Sequence, residues 1–145
     1  MQVSAAHEDD KAGWLPLWQA YLDFYDKVLA DEITDLTFMR ALDPHEPVFL
    51  FLAKKGDLYL GFVSLILHRS TWAKTQYVYL EDLFVAPEAR GQGVAKALIE
   101  QVIEVARHND CGRVYWVTHE DNKRARSLYD RLADNKGLVT YFART

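Results

Sequence analysis

Cysteine is nearly absent: Cys111 is the only one in 145 residues. No intramolecular disulfide can form and no multi-cysteine zinc arrangement exists, so a reducing compartment is the simplest setting. Gly112, Val114 and Tyr115 place Cys111 in a loop leading into a strand, where the thiol reads as a small apolar filler rather than a nucleophile. His7, His45, His68, His108 and His119 lack the i, i+4 pairing that holds a metal on a helix. Positive charge is not in excess either, since 17 Lys and Arg face 21 Asp and Glu for a net −4. The chain therefore has no basic field for nonspecific binding to nucleic acid or an anionic membrane, and its mild acidity suits a cationic acceptor or simply keeps the protein soluble. No apolar run reaches membrane-spanning length, and Met1 to Ala6 lacks the basic segment and apolar core of a secretory leader. A cytoplasmic protein is expected. Repeats and low-complexity linkers are also missing, which with the length predicts one domain over residues 1–145.

What the chain does have is apolar residues in two periods. Half of its residues are hydrophobic and 13% are aromatic. Asp9 and Asp10 are placed to cap a helix from about Lys11, along which Trp14, Leu17, Trp18, Tyr21, Leu22 and Tyr25 recur at helical spacing. Asp31 opens a second helical pattern through Ile33, Leu36, Phe38 and Leu42, closed by Pro44. From Pro47 the pattern changes to strands. Val48 to Leu52, the turn at Gly56-Asp57 and Leu58 to His68 predict an antiparallel hairpin, whose dense apolar runs imply burial on both faces. Gln76 to Val85 is a further strand. A helix from Gly91 to about His108 sets Val94, Ala95, Leu98, Ile99, Val102, Ile103 and Ala106 against Lys96, Glu100, Gln101, Glu104 and Arg107. Its length makes a crossover, so Arg113 to Thr118 is expected to run parallel to the preceding strand. Asn122 to Ala133 reads as another amphipathic helix, and Leu138 to Ala143 as a final strand.

The most informative stretch is Tyr79 to Ala95, a strand that passes through a glycine-bearing turn into a helix. Glycines at the mouth of a helix let ligand oxygens approach N–H groups that have no intrahelical partner, and the dipole adds positive charge there. A purely structural turn satisfies the same spacing. A P-loop would need Gly-Lys-Ser/Thr where this chain has Gly93-Val94-Ala95, and the dinucleotide fingerprint would need a Gly or Ala at Lys96. Before the turn, Glu81 and Asp82 are adjacent on a strand and so are expected to point to opposite faces, with only one lining a given wall.

Arg90-Gly91-Gln92-Gly93-Val94-Ala95 after Leu83-Phe84-Val85 resembles the first signature of the GNAT superfamily of acetyl-CoA-dependent N-acetyltransferases. Asn122, Ala125 and Tyr129 match the second, Asn-x-x-Ala-x-x-x-Tyr, and with the element order the resemblance covers nearly the whole chain. It implies an α/β fold: a central, mixed and mostly antiparallel twisted sheet flanked by helices, whose fourth and fifth strands splay apart around acetyl-CoA, with no metal. Backbone groups of Leu83, Phe84 and Val85 would pair with the pantetheine arm. N–H groups of Gly91, Gln92, Gly93, Val94, Ala95 and Lys96 would hold the pyrophosphate, with Arg90 and Lys96 adding charge. Asn122 and Ala125 belong to the same cofactor-side set.

By the same resemblance Tyr129 would protonate the departing CoA thiolate, although its spacing alone fits a core tyrosine with a bonded hydroxyl. Glu81 would assist deprotonation of the amine, directly or through water. The segment Tyr79 to Val85 and the aromatic first helix are similar to the small histone and polyamine (diamine) acetyltransferases. That likeness implies a primary-amine acceptor on a polyamine, a lysine-like molecule or a basic peptide, with Asp82 favouring the cation. Trp72 and Tyr25 are candidates to flank an alkylammonium group. It also suggests a homodimer or small homo-oligomer completed through the C-terminal strand. A noncatalytic acyl-CoA-binding module and a structural oligomerisation domain are the readings from other classes.

Overall fold

In the computed structural model, which describes residues 1–145, five strands form one sheet in the order β1-β2-β3-β4-β5. They are β1 (Gln2–Ala5), β2 (Val48–Lys55), β3 (Leu58–Arg69), β4 (Gln76–Val85) and β5 (Arg113–Tyr115). Neighbours run antiparallel except β4 and β5, which are parallel, as the crossover helix requires. The helices are α1 (Lys11–Phe24), α2 (Asp31–Leu42), α3 (Val94–His108) and α4 (Lys123–Leu132). The mixed, mostly antiparallel sheet read from the sequence is the one observed.

Alternation along β3 assigns the two layers. Phe62 meets Trp14, Trp18 and Tyr21 of α1 at ring distances of 6.3, 5.9 and 5.6 Å, whereas its neighbour Gly61 faces Leu98 of α3. Helix α2 shares the α1 side, with Phe38 against Trp14 and Thr34 accepting a hydrogen bond from Trp18 Nε1 at 3.0 Å. On the opposite side α3 buries Val94, Leu98, Ile99, Val102 and Ala106, the face its periodicity marks. These residues belong to one contiguous apolar cluster that runs through the sheet.

Several expectations are corrected. Asp10 does not cap α1 with its side chain. Its buried carboxylate instead accepts from the His7 N–H at 2.8 Å, Lys54 Nζ at 2.9 Å and Tyr59 OH at 2.7 Å. Gly13 makes room for this, because a Cβ there would lie 2.1 Å from the Tyr59 ring. Strand β1 was not legible, since Gln2-Val3-Ser4-Ala5 alternates over only four residues, too short a window to mark a strand; it forms by pairing with β2. Helix α3 starts at Val94 rather than Gly91, because Gly91 and Gly93 take φ of 76° and 79°, outside helical space. Strand β5 ends at Tyr115 rather than Thr118, and Leu138 to Ala143 forms no strand: Leu138, Val139, Tyr141 and Phe142 are largely exposed. An alternating segment becomes a strand only where an edge receives it, and this one pairs with nothing in its own chain.

Burial pushes the Asp10 carboxyl up, but hydrogen bonds from Lys54, Tyr59 and the His7 N–H outweigh it and hold the pKa at about 2, against an ordinary 3.8. That difference corresponds to about 2 kcal/mol of stability, present above the unfolded-chain value and lost as pH falls through the folded one. Asp10→Ala is therefore expected to lower unfolding free energy by about 2 kcal/mol near neutral pH, with the two proteins converging in strong acid. Urea midpoints across an acid pH series check this, and a gap that stays constant with pH would count against it.

Candidate active site

Pairing between β4 and β5 is confined to three rungs, Tyr77 with Arg113, Val78 with Val114 and Tyr79 with Tyr115. The last rung is pinned by side chains. The Tyr79 and Tyr115 rings stack with centroids 5.0 Å apart, and the Tyr115 hydroxyl lies 2.7 Å from His68 Nε2. Beyond it the strands part, and from Leu80 to Val85 the β4 backbone has no strand partner on this edge. Leu83, Phe84 and Val85 keep their side chains packed on the core, so an extended chain can approach their backbone.

The turn after β4 supplies a second set of free donors. The backbone N–H groups from Gly91 to Lys96 make no hydrogen bond within the chain, and the first intrahelical bond here is Ala97 N–H to the Gly93 carbonyl at 3.0 Å. No acidic side chain occupies the first turn of α3, and no side chain caps it. The left-handed Gly91 and Gly93 hold this open conformation, and nothing lies within 4 Å of where their Cβ atoms would be. Arg90, over the Phe84 ring at 5.8 Å, and Lys96 stand beside it. Aligned N–H donors at a helix N-terminus fit a pyrophosphate, and the free β4 edge fits the amide-bearing arm attached to one.

On the α1 side of the sheet a cavity of about 590 Å³ opens between α1, α2 and β4. Both Glu81 and Asp82 line it, contrary to the expectation that they point to opposite faces. The register explains the difference. Ser64 pairs with Asp82 but Leu65 pairs with Leu80, so Glu81 is the extra residue of a β-bulge, which breaks the alternation. The Tyr21 hydroxyl donates to Asp82 Oδ1 at 2.6 Å and Ser64 Oγ donates to Oδ2, which occupies both oxygens. Glu81 has no side-chain partner in the chain. Burial and then the Asp82 charge push the Glu81 carboxyl above its ordinary range. Burial raises that of Asp82 too, outweighing its two hydrogen bonds.

The remaining site residues separate into those the fold gathers and those it does not. Tyr25 lines the cavity, with its ring 5.1 Å from Tyr21 and 6.2 Å from His119. Trp72 does not join it: at the β3–β4 turn it is 82% exposed and lies over Arg113 at 6.0 Å. Tyr129 packs edge-on against Trp116 at 5.4 Å, and its hydroxyl has no hydrogen-bond partner in the chain, unlike a satisfied core tyrosine. Burial, then proximity to Tyr25, raises its pKa. Asn122 precedes α4 without capping it through its side chain, whose Nδ2 donates to Thr118 Oγ1 at 3.0 Å, while Ala125 is half-buried on the same helix. No group of three or more His, Cys, Asp or Glu side chains could hold a metal ion, and no helix is long and apolar enough to cross a membrane. Sequence reasoning missed Ser64 and His119, and it read Tyr21 only as part of an apolar stripe. The i, i+4 spacing of Tyr21 and Tyr25 was a usable signal, but contact with Asp82 across 61 positions was not.

Comparison with known proteins bears on this geometry. Residues 14–133 match the family model described as the acetyltransferase (GNAT) family. The D-amino-acid N-acetyltransferase HPA3 of Saccharomyces cerevisiae is 35% identical over 142 residues, covering 96% of this chain and 88% of that protein. The thialysine N-epsilon-acetyltransferase of Bos taurus is 38% identical over 78 residues, 54% of this chain and 45% of that one. The structure of aminoglycoside N-acetyltransferase AAC(6')-Iy in complex with CoA superposes with a TM-score of 0.84 at 19% identity, covering 99% of this chain and 93% of that one.

Tyr21→Phe removes one of the two donors on Asp82. Its carboxyl is then expected to titrate higher still, and the fold to lose about 1 to 3 kcal/mol through a buried acceptor left short of a partner. Carboxyl-carbon NMR titration reads the first effect and urea unfolding the second. An unmoved Asp82 titration would show that the Tyr21 contact is not formed in solution.

Proposed function

This chain belongs to the GNAT family and is an N-acetyltransferase with acetyl-CoA as its cosubstrate, and from that premise we propose that it acetylates a small primary amine bound in the α1-side cavity. The observation that carries the proposal is the bulge at Glu81. It sets a carboxylate without a partner on the cavity wall, on the same strand whose next residues offer a free backbone edge.

In this reading the CoA portion lies along Leu83 to Val85, with its pyrophosphate at the N–H groups of Gly91 to Lys96. The amine enters from the cavity beside Tyr25. At neutral pH an alkylamine of pKa about 10 arrives protonated, so Glu81, directly or through a water, accepts its proton and frees the lone pair. The nitrogen then attacks the thioester carbon. As the C–N bond forms, the C–S bond breaks and the Tyr129 hydroxyl gives its proton to the thiolate, while the nitrogen loses its second proton to solvent and solvent returns one to the Tyr129 phenolate. A strand N–H between Leu83 and Val85 polarises the carbonyl. The gain in rate comes mainly from holding two substrates in line and from fixed dipoles, with no covalent enzyme intermediate. Asp82, clamped by Tyr21 and Ser64, positions the bulge rather than touching the amine. Relatives named for D-amino acids and for thialysine support a small amine of the amino-acid kind among possible acceptors. Residues 1–145 act as one catalytic domain in this reading.

We propose in addition a small homo-oligomer. Strand β5 is the edge of the sheet, and Leu138, Val139, Tyr141 and Phe142 are apolar and exposed in a segment that pairs with nothing in its own chain. Sedimentation equilibrium is expected to show a dimer that a chain ending at residue 136 no longer forms. A monomer at micromolar concentration would remove this part of the proposal.

The reaction itself is tested by thiol release from acetyl-CoA over a panel of amines, with mass detection of the product. Tyr129→Phe is expected to lower turnover about a hundredfold or more while acetyl-CoA affinity stays near wild type. In the wild type, kcat/KM should rise with pH through a carboxyl titration above the ordinary Glu range, because Glu81 works when deprotonated, and Glu81→Gln should abolish that limb. Unchanged turnover in Tyr129→Phe takes that residue out of the mechanism, and a persistent acid limb does the same for Glu81.

A further inference from the structure

The cavity that holds Glu81 and Asp82 also holds two cations, Lys27 from the α1–α2 link and Arg40 near the end of α2. Neither forms an ion pair or a side-chain hydrogen bond within the chain, and Glu81 forms none either. Both cations are exposed, and like most of the chain's cations they pair with nothing, unlike Lys11 with Asp35 and Lys54 with Asp10, each at 2.9 Å. The floor between the two charged ends is formed by Ser64 and Ile66 of β3 and by Val48 of β2, while the carboxylates sit on β4. Two strand spacings, roughly 10 Å, therefore separate β4 from the β2 side on which α2 packs. Opposite charges share one cavity without neutralising one another, and the Thr37 hydroxyl stands one turn before Arg40 on the same wall.

We propose that the acceptor is an amino-carboxylate, a zwitterion of the free amino-acid kind, bound with its ammonium toward Glu81 and its carboxylate at Arg40 and Lys27. This rests on the acetyltransferase reading of the same cavity and narrows it. A polyamine would place a second cation beside Lys27 and Arg40, where like charges repel. An acid group there gains charge-assisted hydrogen bonds, with the Arg40 guanidinium offering a fork matched to a carboxylate. The same charge pattern fixes orientation: reversing the ligand would bring its carboxylate to Glu81 and its ammonium to Arg40, so the amine is presented to the free β4 edge.

The test compares each acid with its decarboxylated counterpart, lysine against cadaverine and alanine against ethylamine, by CoA thiol release on the full chain. The expected result is at least a tenfold preference in kcat/KM for the acid of one pair. That ratio should collapse in Arg40→Gln and in Lys27→Gln and return in part with Arg40→Lys, while the KM for acetyl-CoA marks each variant as folded. Preference for the decarboxylated amines, or for spermidine, overturns the inference and leaves the acetyltransferase reading intact, as does a ratio that Arg40→Gln and Lys27→Gln fail to alter. Silence with every amine overturns both.

Discussion

The parallel pairing of β4 and β5 stops at Tyr79 and Tyr115, and the rest of the site is arranged around the backbone that this leaves without partners. A strand edge inside a sheet is costly unless its N–H and C=O groups meet water or a ligand. Here the divergence is held at a defined point by the stacked Tyr79 and Tyr115 rings and by the Tyr115 to His68 contact. Helix α3 begins where the free strand ends, and its glycine turn leaves a further run of N–H donors exposed. Extended edge and helix mouth follow one another in the chain, so one ligand with an amide arm and a pyrophosphate can satisfy both. The apolar cluster behind them fixes the spacing, because Phe84, Val94 and Leu98 belong to the same core.

The bulge at Glu81 is the second device and depends on the first. A regular β4 would send one of the two carboxylates into the α3 side, where an unpaired charge is expensive. Inserting one residue turns both toward α1, and two hydroxyls from α1 and β3 then satisfy Asp82 fully. Glu81 is thereby left as the carboxylate with room for an outside partner. Its pKa rises through burial and then through the charge of Asp82 on the same wall, a direction that suits the proton-accepting role proposed for it.

Much of this was legible from pattern alone. The hairpin, the crossover and the long α3 follow from period and length, and Gly91 and Gly93 mark the helix mouth in the sequence itself. What escaped has a common physical cause. Strand β1, the early end of β5 and the unpaired segment after α4 are decided by which edge is available, and a local window carries no record of that. The bulge is likewise a property of two strands in register, invisible in β4 by itself. Asp10 looked like a cap for α1, but besides the nearby His7 N–H its carboxylate is held by Lys54 and Tyr59, which lie far along the chain. Trp72, a candidate to flank a cation, stands outside the cavity and has the guanidinium of Arg113 over its ring.

Net charge is compatible with a cationic acceptor and equally with plain solubility, and the cavity itself carries charges of both signs. The sum of −4 describes the field far from the surface, which salt screens over about 8 Å at physiological ionic strength. Inside a cleft the nearest few groups dominate, since water is partly excluded and distances are short. There the count is two carboxylates, of which Asp82 is already occupied, against Lys27 and Arg40. Mean charge therefore acts on a ligand at a distance, whereas under the proposed zwitterion reading it is Glu81 at one end of the cavity and Lys27 and Arg40 at the other that would set which end of the ligand goes where.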